Sequence, residues 1–282
     1  MFDRISNGFS MAKSSWHVIM SDKKLLWFPV VSGTLFLIVL ASFAIPTAYL
    51  VDQQQIELED GQLPPWFYAV AFAFYFCTYS VVIFCNSALV SCALLRFNGQ
   101  TPTLGDGFRA AMSRLPQILA WAFLSATIGL LLKIVENIHE KLGELVASLL
   151  GTAWSVMTYF VVPILVVEKV GPIRAVSRSV SLMKRTWGEA LAGKVGMGFF
   201  LFLVAIPIIL LLVAGGYLMM QPATHTIGIV LLVVGGIAMM WYMAVSAAMH
   251  TVFMTAMYQF ATSERVPDGF DRRLMVGAFQ TK

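Results

Sequence analysis

Residues 195–220 read VGMGFFLFLVAIPIILLLVAGGYLMM, without one charged side chain, and the stretch before them, 168–194, reads EKVGPIRAVSRSVSLMKRTWGEALAGK, with six Lys and Arg. A helix crosses the roughly 30 Å of bilayer hydrocarbon in about 20 residues, so the first stretch is long enough to span. The second is too polar to do so. Cationic segments beside a span resist translocation and stay cytoplasmic. An uncharged run joined to a basic one therefore predicts a membrane helix and its orientation together.

The same alternation extends along the chain. Further apolar runs predict spans at about 25–51, 65–95, 117–135, 145–167 and 227–260, alongside 195–220. Lys and Arg number four before the first span, none in 52–64, three in 96–114, two in 133–143, six in 168–194, none in 221–226 and four from 261 onward. Seventeen of nineteen cations thus share one side, which predicts that both termini face the cytoplasm. The chain reads as an all-α polytopic membrane protein, a single integral membrane domain over residues 1–282 with six transmembrane helices.

Composition agrees. With 59% hydrophobic and 12% charged residues, the chain has about half the charge of a soluble domain, which excludes a water-soluble globule. Six spans use nearly all 282 residues, so no separate catalytic domain is expected within them. The run 25–51 is too long for a signal-peptide core and is expected to be a retained first span. A net charge of +4 in a soluble protein would point to nucleic acid, but cations ranged beside apolar spans point to anionic lipid of the inner leaflet.

Amphipathic helices are expected on the cytoplasmic face at about 4–20, 104–115 and 173–188. In the first, Ile5, Phe9, Trp16 and Met20 recur at helical spacing. The second is expected to start with Thr103 capped by Asp106. Each precedes a pair of spans, a faint threefold repeat of surface helix plus hairpin. In the third, Arg174, Arg178, Ser181 and Arg185 project to one face, and Ile173, Val176, Val180, Met183 and Trp187 to the other. Arg174, Arg178, Lys184 and Arg185 are the candidate contacts for lipid headgroups or a protein partner. Such cations also serve topology alone, each gripping the anionic surface at about 1 kcal/mol.

Catalytic chemistry is not legible. Ionisable groups at mid-membrane depth are expensive and tend to be functional, and none of the six runs holds Asp, Glu, Lys or Arg away from its ends. Asn86 and His250 are the candidate intramembrane polar contacts, each expected to make an interhelical hydrogen bond. His17, His139, His225 and His250 are scattered, and Cys77, Cys85 and Cys92 line one side of a single apolar helix, which reads as packing. The Met-rich sixth run reads as adaptable filler. No nucleophile elbow or phosphate-cradling loop occurs. We expect no metal, no cofactor and no enzymatic activity. The preferred function is a membrane-embedded accessory or organising factor. The alternative is a small transporter or permease for an apolar or lipid-like solute, with Pro46, Pro163 and Pro207 as kinks.

At Ser14-Ser15-Trp16, at Asp22-Lys23-Lys24-Leu25-Leu26 with Phe28-Pro29, and at Glu168-Lys169 through Arg178-Ser179-Val180 and Lys184-Arg185-Thr186-Trp187, the chain resembles a family of bacterial six-span membrane proteins of unknown function. That family is distantly similar to the membrane-embedded domain attached to some glycerophosphodiester phosphodiesterases. The resemblance implies the six-span fold and the bacterial inner membrane. It carries over no catalytic residue, because the hydrolase chemistry of those enzymes resides in a separate soluble domain.

Overall fold

Each apolar run forms helix. The computed structural model describes residues 2–52, 65–138, 142–263 and 265–270, and within these the side chains at 2–9, 51, 52, 65, 137, 138, 142 and 185–194 lie outside the description. In chain order the helices are α1 (Phe2–Ser21), α2 (Trp27–Asp52), α3 (Pro65–Phe97), α4 (Leu104–Met112), α5 (Leu115–Ile138), α6 (Leu142–Met157), α7 (Val161–Glu168), α8 (Pro172–Met219) and α9 (His225–Ser263), with a 3-10 turn at Lys23–Leu26. No strand occurs among the described residues. Six segments are long and apolar enough to cross a membrane: Lys23–Leu50, Trp66–Phe97, Leu115–Glu136, Gly143–Glu168, Val195–Met219 and His225–Ser263. They coincide with the six predicted spans to within a few residues. Large apolar side chains such as Ile38, Ile45, Leu149, Leu210, Val213 and Met240 stay exposed along them, a pattern that lipid accommodates and water does not.

The chain divides into two compact units. The first comprises residues 1–29, 96–100 and 186–282. Here α1 packs on α9. Met11, Ala12, Ser15, Val18 and Ile19 are buried along α1, and Met249, Val252, Phe253, Ala256, Met257 and Phe260 along the second half of α9. The expected lipid-facing stripe of α1 is therefore not its packed one: Trp16 is exposed, and the Ile5 and Phe9 side chains lie outside the described residues. Residues 265–270 return to the end of α3, where the Asp268 N–H donates to the Phe97 carbonyl at 3.4 Å and Phe270 meets Phe97 edge to face. Gly269 makes that turn with φ of +92°, and a Cβ there would stand 2.8 Å from a Val18 methyl.

In the same unit α8 and α9 approach through glycine. A Cβ on Gly235 would stand 2.7 Å from Leu212, and one on Gly228 would overlap the backbone of Met219. Gly236, next to Gly235 in the chain, and Gly216 of α8 face open space. Small residues permit this backbone approach between membrane helices.

The second unit comprises residues 30–95 and 101–185. Phe72 and Phe76 of α3 close on Phe123 of α5, Trp121 of α5 stacks on Trp154 of α6 at 5.7 Å, and Phe84 stacks on Phe108 of α4. Helix α4 begins as expected, with a reciprocal capping box between Thr103 and Asp106. Cys85 and Cys92 are buried on α3, and Cys77 is half-buried.

One expectation is corrected. The amphipathic segment 173–188 is not a separate surface helix. It is the first part of α8, a helix of 48 residues that includes the fifth span. The 48 residues of α8 are more than twice the about 20 that one crossing needs, so its polar first part is surplus to a single span. Gly188 and Gly193 cost helix stability, about 1 kcal/mol each, without stopping it.

The fourth predicted span, 145–167 with Pro163 as a kink, coincides with the apolar segment Gly143–Glu168, and its helix is interrupted at residues 158–160 between α6 and α7. Pro163 explains the break. It has no N–H to give the Tyr159 carbonyl, and its ring would collide with that carbonyl in a continuous helix.

Candidate functional site

The site grows from the first turns of α8. Ala175, Ser179, Leu182 and Met183 are buried, a stripe at helical spacing, while Ile173, Arg174, Ser177, Arg178, Ser181 and Lys184 form the exposed arc. Of the apolar face predicted, Met183 is buried, Val176 and Val180 are half-buried and Ile173 is 79% exposed, so the packed face only partly follows it. Ala175 and Ser179, four residues apart and small, are what let another helix approach.

That partner is α7. Val161, Ile164 and Leu165 of α7 are buried, as is Phe160 just before it. At the break, Tyr159 N–H bonds to the Val156 carbonyl and Val161 N–H to the Thr158 carbonyl, both tightened turns. Phe160 N–H instead crosses to Ser179 Oγ at 3.0 Å. The serine hydroxyl thus gives a buried backbone donor at the break an acceptor, and buried backbone groups are regularly paired.

At the other end of α7, Glu168 is the last helical residue, and Lys169 turns the chain in the left-handed conformation with φ of +58°. Glu168 Oε1 accepts from Arg178 Nε at 3.1 Å. Adjacent residues of α8, Arg178 and Ser179, therefore hold the two ends of α7.

Arg174 and Lys184 stand exposed on the same arc as Arg178, so three of the four predicted cations share a face. The Arg185 side chain lies outside the described residues. Asn86 is half-buried on α3 in the second unit, and His250 is half-buried on α9 in the first. Sequence reasoning missed Glu168 and Ser179 as members of the site. The signal for the break was Pro163, which disrupts the turn before it. Nothing in the local pattern marked Ser179, because its role depends on a backbone N–H nineteen residues away.

Elsewhere in the second unit, Asp106 of the α4 capping box accepts from the hydroxyl and the N–H of Thr103 at 2.7 and 3.0 Å, and Arg109 lies 4.0 Å away. Those two hydrogen bonds, more than the arginine, hold its carboxyl below the ordinary range. Among the described residues no three His, Cys, Asp or Glu side chains are grouped to share a metal ion.

The model of a family of unknown function (DUF6159) matches residues 66–268, well over half of the chain and including all of α8, so the chain belongs to that family. No curated protein and no solved structure matches it.

Proposed function

We propose that this member of the family is a non-enzymatic six-span protein of the bacterial inner membrane, N-in and C-in, whose basic cytoplasmic face grips anionic lipid headgroups and so serves as an accessory or organising factor. The single observation behind this reading is the split of α8: a buried stripe from Ala175 to Met183 anchors the helix, and Arg174, Arg178 and Lys184 stand on the exposed arc. A cation held on a fixed backbone beside a span meets headgroups at about 1 kcal/mol each, and Arg adds planar recognition of phosphate. The expected distant kinship with the membrane domain of glycerophosphodiester phosphodiesterases belongs to the same proposal and rests on the short motifs around Glu168 and Arg178.

The test is a titration of the purified full chain with phosphatidylglycerol, read by native mass spectrometry. R174Q/K184Q is expected to weaken binding about tenfold or more, by the loss of two such cations. Equal binding by wild type and variant would end this reading, and retention of an acidic protein in place of lipid would replace it with a docking role.

A second reading, transport of an apolar or lipid-like solute, is favoured by the break at residues 158–160. Interrupted membrane helices are where transporters commonly bind and move. Liposomes carrying the chain that move no labelled lipid or amphiphile faster than empty ones would remove it.

A further inference from the structure

The cations of α8 are not equivalent. Arg174 and Lys184 are exposed, whereas Arg178 is engaged by Glu168 at 3.1 Å, with 45% of the arginine side chain and 27% of the glutamate side chain exposed. We infer that Glu168 is a built-in competitor for Arg178, so that this arginine joins the headgroup-binding face only when an anionic membrane surface outbids the carboxylate. The inference rests on the headgroup reading above and adds its regulation.

Two features make the exchange practicable. The ion pair is exposed enough for water and salt to screen it, and such pairs are weak. A dense anionic surface offers several charges against the one carboxylate. The exchange also leaves the scaffold intact, because the neighbouring Ser179 keeps its buried bond to Phe160 whichever partner Arg178 holds. Glu168 ends α7 and Lys169 reverses the chain directly after it. The carboxylate is therefore fixed at the mouth of the α7–α8 turn, where it lowers the positive potential of the exposed arc. The result is a threshold: α8 engages weakly on a sparsely charged surface and gains one more cation on a densely charged one.

The experiment titrates the full chain in nanodiscs of phosphatidylcholine with rising phosphatidylglycerol, comparing wild type, E168Q, R178Q and the double variant, with R174Q/K184Q as the reference for the face itself. E168Q is expected to bind phosphatidylglycerol three- to fivefold more tightly than wild type and to reach half-occupancy at a lower anionic fraction. In the R178Q background, E168Q is expected to change affinity by less than half of that factor, because the residue it restrains is gone. E168Q that binds no more tightly, or gains as much without Arg178 as with it, overturns the competitor. If R174Q/K184Q alters nothing, the headgroup reading itself fails. If that pair weakens binding and E168Q has no effect, only the competitor fails. Matched melting temperatures for E168Q and wild type show that the glutamine variant is folded, and E168D, which keeps the charge, is expected to bind like wild type.

Discussion

The backbone N–H of Phe160 donates to the hydroxyl of Ser179 at 3.0 Å, between two residues that are each fully buried. This one bond joins the break in the fourth span to the helix that carries the basic face. It gives a buried donor an acceptor where the helix stops and restarts at residues 158–160.

Ser179→Ala removes the acceptor of this buried hydrogen bond. The expected loss of stability is about 1 kcal/mol, the net contribution of one such bond. Ser181→Ala makes the matching control, since Ser181 is exposed and bonds only to the Ser177 carbonyl of its own helix. Thermal unfolding of the two variants in detergent checks the contrast. Equal losses would mean that the Ser179 bond holds nothing.

Pro163→Ala restores an N–H opposite the Tyr159 carbonyl. If the proline causes the break, the amide at position 163 should become slowly exchanging as helix closes across 158–160. Hydrogen exchange followed by mass spectrometry over the peptide spanning α6 and α7 reads this directly. Fast exchange at that amide would place the cause elsewhere in the packing.

Glycine positions in the α8–α9 hairpin separate into tight and open. Gly228→Ala has no room beside the Met219 backbone, and Gly235→Ala presses on Leu212 at 2.7 Å. Forced overpacking costs about 1–3 kcal/mol, so both variants should melt lower. Gly236→Ala faces open space and should be neutral or slightly stabilising, because alanine is the better helix former. A common drop for all three would argue against a glycine-mediated contact.

These contrasts show what sequence carried and what it did not. The capping box was legible because Thr103 and Asp106 interact through their own local backbone. The spans were legible because hydrocarbon demands long apolar runs, and the pattern of cations predicts their direction. The packed stripe of α8 was legible only in part: periodicity picks out the buried Met183 but also Ile173 and Val176, whereas close approach adds small Ala175 and Ser179, and smallness matters only once a neighbour is known. The joining of 173–188 to the fifth run as one helix was not legible either, since two unfavourable residues, Gly188 and Gly193, within a helix of 48 are outweighed by the rest. Gly235 and Gly236 looked alike in sequence, and only the position of Leu212 distinguishes them.

Acid should loosen the start of α4. The hydrogen bonds from Thr103, with Arg109 nearby, lower the Asp106 carboxyl below its usual range, so the folded pKa lies under the unfolded one. The capping contribution is then complete above the ordinary carboxylate value and is lost as pH falls through the lowered one. Exchange of the Asp106 and Gly107 amides, corrected for intrinsic rate, should accelerate on acidification. Asp106→Asn should abolish that pH dependence, and its persistence in the variant would assign it to another group.

The most direct measurement is native mass spectrometry of the full chain extracted in polymer-bounded discs of its own membrane, wild type beside R174Q/R178Q/K184Q. Headgroup binding by the α8 face predicts that the wild type retains anionic phospholipid in excess over the bulk membrane and that the variant, extracted in equal yield, loses that excess. The same lipid profile for both proteins would contradict the account.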